Sequence, residues 1–160
     1  MQWSLVGSEM CIRDRNKGMG YFDEETNFFL YGLLDDVWIN TKTDQLIVVD
    51  YKATSKDGEV SLDAPWQISY KRQVEIYQWL LRKNGFDVQE TAYFVYCNAI
   101  KKNILFDNKL HFKTKLIGYK GDDSWIEGTI KKMKSCLDSD NTPDSNKNCE
   151  HCRYVLKANL

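Results

Sequence analysis

Four consecutive branched apolar residues, Leu46-Ile47-Val48-Val49, run directly into Asp50-Tyr51-Lys52, and this junction constrains the fold more than any other stretch of the chain. A half-buried strand alternates apolar and polar side chains. One that does not alternate needs cover on both faces, as a central strand of a layered sheet receives. Successive strand side chains point to opposite faces, so Asp50 and Lys52 project to one side and Tyr51 to the other. Unpaired charge is costly where a buried strand emerges, so this carboxylate and ammonium form at the least an ion pair.

The flanking segments give that strand its neighbours. Phe28 to Asn40, rich in aromatic and branched residues, predicts a strand or hairpin arm. Thr41-Lys42-Thr43-Asp44 predicts the turn, and Gln45 to Tyr51 the returning strand. Antiparallel return brings Asp35, at the end of Gly32-Leu33-Leu34-Asp35, close to Asp50 and Lys52. Two carboxylates so placed repel unless a proton or a cation relieves them. Oxygen-rich ligation without cysteine favours Mg²⁺ or Mn²⁺ over zinc. Asp36, next along, should face away as a solvated or structural acid.

A helix is expected next, with Asp63 as its cap, Pro65 in its first turn and Gly85 at its end. Tyr70, Val74, Tyr77 and Leu81 recur on it at helical spacing, and Gln73 shares a face with Tyr77. Thr91 to Ala99 and Leu110 to Tyr119 read as strands, the second with Lys113 and Lys115 on one side. A second helix starts at Asp122 or Asp123 and runs through Leu137, followed by a polar tail that ends in Cys149-Glu150-His151-Cys152. The order β-β-α-β-β-α indicates an α/β or α+β sandwich around a mixed sheet.

Composition sets the outer limits. A chain of 160 residues with 42% hydrophobic content suits one domain with a real core. Its 22 Lys and Arg against 23 Asp and Glu exclude both a basic nucleic-acid coat protein and an acidic disordered tail. The charge is nevertheless divided. Residues 21–50 carry seven acids and one base, and residues 100–135 carry nine lysines and four acids. Such a division suits a site that holds both a cation and a polyanion. No apolar run approaches the roughly 20 residues of a membrane helix. Five cysteines, an odd number, and the lack of a secretory h-region favour a reduced, cytoplasmic setting. Residues 4–15 resemble a translated sequencing adaptor, which would put the native chain from about Asn16 and discount Cys11 as a ligand. Residues 16–160 then form a single domain, truncated at its N-terminus, with a C-terminal C-x-x-C tail.

Three elements in order resemble the PD-(D/E)XK nuclease superfamily, in its RecB-like branch that includes the CRISPR-adaptation nucleases. Gly32-Leu33-Leu34-Asp35 fits G-x-x-D, Asp50-Tyr51-Lys52 fits (D/E)-x-K, and Gln73-Val74-Glu75-Ile76-Tyr77 fits Q-x-x-x-Y. The resemblance covers about Phe22 to Tyr154 and implies a restriction-endonuclease-like fold, a mixed β-sheet flanked by helices. It implies Mg²⁺ or Mn²⁺ on Asp35, Asp50 and the main-chain carbonyl of Tyr51, with Lys52 as the catalytic lysine. Gln73 and Tyr77 would support the site or meet the nucleic-acid backbone. Related nucleases carry a further acidic or histidine ligand on an upstream helix, for which Glu24 and Glu25 are the available substitutes. Cys149 and Cys152 resemble part of an iron–sulfur motif; a third late cysteine is replaced by Ala158, and Cys97 and Cys136 are the remaining contributors to an Fe–S or zinc site.

The expected activity is therefore metal-dependent hydrolysis of DNA phosphodiester bonds, in repair, recombination or defence, with a helicase or recombination or adaptation partner as the associated expectation. Lys101, Lys102, Lys113, Lys115, Lys131 and Lys132 would supply backbone attraction. Two alternatives stand beside it: an inactive nucleic-acid-binding remnant of the fold, and a cysteine-centred Fe–S or zinc module.

Overall fold

The computed structural model describes residues 3–5, 18–101, 108–146 and 148–158 of the chain. Among the described residues, seven strands and three α-helices follow in sequence: β1 (Trp3–Leu5), β2 (Met19–Asp23), β3 (Phe28–Gly32), β4 (Asp36–Asn40), β5 (Leu46–Thr54), α1 (Ile68–Lys83), β6 (Thr91–Ala99), β7 (Phe112–Lys120), α2 (Trp125–Leu137) and α3 (Glu150–Ala158). Two compact units divide the chain, Met1–Ile126 and Glu127–Leu160. The first holds both sheets and α1. The second holds most of α2, the polar connection from Asp138, which is loop as its composition predicts, and α3, which the sequence pattern does not announce.

The main sheet has the order β1-β4-β5-β6-β7, and β2 and β3 form a separate hairpin. β5 pairs antiparallel with β4 and parallel with β6, so the sheet is mixed and β5 lies inside it. Ile47, Val48 and Val49 are at most 1% exposed, the burial on both faces that their lack of alternation predicts. This mixed sheet with helices is the restriction-endonuclease-like architecture expected from sequence.

Phe28 to Asn40 does not form one arm. It breaks at Leu33-Leu34-Asp35, with β3 in the hairpin sheet and β4 in the main sheet. The segment carries apolar residues on both sides of the break, so pattern alone does not locate it. Asp35 consequently precedes β4 instead of ending β3. The helix start also differs. Asp63 is not the cap; a 3₁₀ turn, Pro65–Gln67, leads into α1, and the Gln67 side chain accepts from the Ala64 N–H at 2.9 Å. Gln67 is buried and also donates to the Ser61 carbonyl, which gives it a bridging role no exposed aspartate could fill. Gly85, at φ +85°, closes the other end in the left-handed region, where a Cβ is strained.

α1 packs on β5 and on the β2–β3 hairpin, burying Val74, Tyr77, Leu80 and Leu81. Full burial of each such side chain contributes about 1.5–3 kcal/mol. Tyr21 meets Trp79 edge to face at 5.4 Å, and Asn84 donates to the Gly20 carbonyl, so the hairpin is held at both ends of the helix's second half. The β5–α1–β6 crossover thus suspends one face of α1 beside the carboxyl end of β5, where ligand sites of open α/β sheets collect.

Candidate active site

β4 reaches only as far as Val49 of β5, through the Asp36–Val49 pair, whereas β5 continues to Thr54 beside β6. The edge of β5 beyond Val49 therefore needs another partner. Asp35 supplies it: the Tyr51 N–H donates to Asp35 Oδ2 at 3.0 Å. In an extended strand the N–H and C=O of one residue share an edge. The Tyr51 carbonyl is thus presented on the side of Asp35.

Asp50 is fully buried, and Lys52 Nζ stands 2.7 Å from its Oδ2. Neither carboxylate oxygen of Asp50 receives a directed hydrogen bond among the described residues. Burial pushes the Asp50 carboxyl above its ordinary pKa; Lys52 opposes that shift and the nearby Asp35 carboxylate adds to it. Tyr51, by contrast, turns outward, and its hydroxyl donates to Asp36 at 2.8 Å. Asp36 also accepts from the Trp38 indole at 3.1 Å, so it braces β4 against β5 away from the site.

From the helix side, Lys52 Nζ donates to Gln73 Oε1 at 3.1 Å, and Gln73 Nε2 donates to the Tyr77 hydroxyl at 3.0 Å. Burial raises the Tyr77 pKa, with the charges of Asp35 and Asp50 reinforcing it, so the ring stays a neutral phenol. Tyr70, three residues before Gln73, places its ring 4.4 Å from Lys52 Nζ. The sequence pattern puts Tyr70 on the helix face of Gln73 and Tyr77 without giving it a part in the site. The i, i+3 spacing to Gln73 was the available signal that the two address one group.

Gly32 has its own reason to be glycine. A Cβ there would lie 2.7 Å from the Tyr77 ring and 3.1 Å from Leu80, inside van der Waals contact. Strand β3 can approach α1 this closely only without a side chain. Gly32→Ala should therefore displace Tyr77, disturb the Gln73–Lys52 chain, and destabilise the fold by about 1–3 kcal/mol, measured as a lower urea midpoint. In a Tyr77→Ala background the same substitution should cost less than it does in the unaltered chain, because most of the clash is gone; an unchanged midpoint in Gly32→Ala would count against the close approach.

Two adjacent carboxylates, one of them buried with an oxygen that has no partner among the described residues, match the donor set of a hard divalent cation. The described residues contain no group of three or more His, Cys, Asp and Glu able to hold a metal. Glu24 and Glu25 do not complete the set. They lie in the β2–β3 turn, and β3 carries the chain about 15 Å from that turn to Gly32. Cys149 immediately precedes α3, its sulfur accepting from the Cys152 N–H at 3.4 Å. That hydrogen bond lowers the Cys149 thiol pKa. Cys97 faces Thr114 on the sheet, Cys136 is exposed on α2, and Cys11 lies outside the described residues.

Two grooves adjoin the carboxylates' strand and helix. One, open and about 660 Å³, is walled by Tyr31, Gly32 and Leu33 on one side and by Ile68, Arg72 and Gln73 on the other. The second, about 560 Å³, lies past the carboxyl ends of β5 and β6 and is lined by Lys56, Lys101, Lys113 and Lys115. Lys115 there contacts Glu59 at 3.2 Å and the Val60 carbonyl at 3.3 Å. Lys102 lies outside the described residues, and Lys131 and Lys132 are on α2 in the second unit.

No described helix is long and apolar enough to cross a membrane. No curated protein and no solved structure matches the chain. A family model, that of the PD-(D/E)XK nuclease superfamily, matches residues 2–155. With nearly the whole sequence inside that match, and Asp35, Asp50 and Lys52 gathered where β4 begins beside β5, the chain belongs to the PD-(D/E)XK nuclease superfamily.

Proposed function

We propose that this chain is a metal-dependent nuclease domain that hydrolyses DNA phosphodiester bonds, with Asp35 and Asp50 as the carboxylates that hold Mg²⁺ or Mn²⁺. The observation that supports it most is Asp50: a fully buried carboxylate beside a second carboxylate, with the Lys52 ammonium on Oδ2 and no partner for Oδ1 among the described residues. A divalent cation, when bound, would supply Lewis-acid polarisation of the phosphate and a more acidic water. The Tyr51 carbonyl is a third oxygen on the same strand edge. Lys52, held by Asp50 and Gln73, would orient the attacking water or steady the charge that develops on the phosphate oxygens. The Q-x-x-x-Y pair on α1 supports the RecB-like branch and, with it, a role in repair, recombination or defence.

The lysine groove would hold backbone phosphates. DNA affinity should then fall linearly in a plot of log K against log salt. Lys101→Glu and Lys113→Glu should each weaken binding for every sequence and flatten that slope by about one unit. A slope unchanged in both variants would remove this groove from the binding surface.

The deciding experiment is cleavage of labelled single- and double-stranded DNA with Mg²⁺, with Mn²⁺ or with chelator. Cleavage that needs the metal supports the proposal. Metal-independent binding without cleavage would instead favour an inactive, nucleic-acid-binding member, a reading to which the two-carboxylate set among the described residues gives specific weight.

A further inference from the structure

We propose that Tyr70 is a positioning residue for the Lys52 ammonium, acting through the face of its ring; the inference rests on the reading of Lys52 as the lysine of the cleavage site. Lys52 Nζ lies 4.4 Å from the Tyr70 ring centroid, well within the roughly 6 Å over which a ring's negative face attracts a cation. Lys71 and Arg72 also stand over rings, of Tyr119 and Trp125, but at 5.5 and 5.6 Å. Lys52 has the shorter approach, and its cation is the one inside the site.

The ring completes a cradle that charge pairing alone leaves loose. An ammonium is a compact cation on four rotatable methylenes, so one carboxylate fixes its distance but not its direction. Asp50 holds it from the strand at 2.7 Å, and Gln73 from the helix at 3.1 Å. The Tyr70 face supplies a third, separate restraint, also from α1. The Tyr70 ring is itself braced edge to face by Trp66 at 5.3 Å. Only 16% of the Lys52 side chain remains exposed, so water competes weakly for the cation and the ring attraction is worth more than on an open surface. The contacts of Tyr70 here are made by its ring, the Lys52 ammonium on its face and Trp66 beside it. The function therefore belongs to the ring and not to the hydroxyl.

The test compares Tyr70→Phe with Tyr70→Leu in the full chain by two readouts. In metal-dependent DNA cleavage, Tyr70→Leu should lower kcat about tenfold with KM nearly unchanged, and Tyr70→Phe should stay within about twofold of the unaltered protein. Independently of activity, acetic anhydride labelling followed by peptide mass spectrometry should show Lys52 modified several times faster in Tyr70→Leu, and at the ordinary rate in Tyr70→Phe. Equal losses in Phe and Leu would overturn the ring argument. So would a Leu variant with full kcat and unaltered Lys52 labelling. An unaltered protein that cleaves no DNA with either metal refutes the nuclease reading instead, a result that the labelling experiment separates from failure of the ring contact.

Discussion

Asp50→Asn, Asp35→Asn and Lys52→Ala should each reduce metal-dependent DNA cleavage by at least about a hundredfold, the scale on which single groups that stabilise developing charge act. The first two substitutions nearly preserve shape. Asn at 35 keeps an oxygen that can accept the Tyr51 N–H, so the edge of β5 beyond Val49 stays closed. Asn at 50 removes a charge whose burial opposes its ionisation, but it also leaves the Lys52 ammonium with only the Gln73 oxygen and the Tyr70 ring, so it should cost some stability. The urea midpoint of Asp35→Asn should therefore stay close to that of the unaltered protein, and that of Asp50→Asn should fall less than that of Lys52→Ala, while cleavage disappears in both. Lys52→Ala behaves differently, because it strips the buried Asp50 of its cation and removes the donor to Gln73. It should lose activity and stability together. Retained cleavage in all three variants, measured on the same labelled strands, would refute the site outright. Loss of cleavage with an unfolded protein in Asp35→Asn would refute the claim that its carboxylate is there for chemistry and not for closing the strand edge.

The core of that site was legible because two periodicities met at one place. Absence of alternation over Leu46–Val49 made β5 a covered strand, and alternation beyond it put Asp50 and Lys52 on one side. Four-residue spacing paired Gln73 with Tyr77, which do share a hydrogen bond. What escaped depended on approach between elements that sequence leaves unrelated. β3 ends at Gly32, which packs against Tyr77, and glycine in a run of aromatics does not announce what packs on it. Asp63 carries the side chain of a good helix cap, yet the buried amide of Gln67 holds the turn instead. The short α3 begins within a polar, cysteine-bearing tail, and its nine residues offer little pattern. A charged residue inside α1 was no more conspicuous, although it carries the largest stability prediction of the fold.

Glu75→Ala should destabilise the protein by about 3 kcal/mol, on the scale set by stranding the partners of a buried charged acceptor. Glu75 is only 5% exposed, on the same helix as Gln73 and Tyr77. One oxygen accepts from the Tyr119 hydroxyl at 2.5 Å and from the Asp122 N–H at 3.3 Å, and the other accepts from the Trp125 indole at 2.7 Å. The carboxylate thus ties α1 to the end of β7 and to the residues that lead into α2. Alanine would leave three donors without their acceptor, whereas Glu75→Gln keeps one accepting oxygen and should lose roughly half as much. Tyr119 reports on the same contact. Burial first, and then the Glu75 carboxylate, push its pKa up to about 12. A folded value above the ordinary one near 10 means that the native state holds the phenol proton more tightly than the unfolded chain does. This contribution is fully present below pH 10, and it drains away as pH rises from about 10 towards 12. Glu75→Ala should shift the Tyr119 titration, followed by tyrosinate absorbance, to lower pH and blunt the alkaline loss of stability. Cleavage per folded molecule should change little, because Gln73 faces Lys52 while Glu75 faces β7. An undiminished urea midpoint in Glu75→Ala would show that these three hydrogen bonds do not hold the helix in place. A selective collapse of kcat in a fully folded variant would move Glu75 from the scaffold into the site.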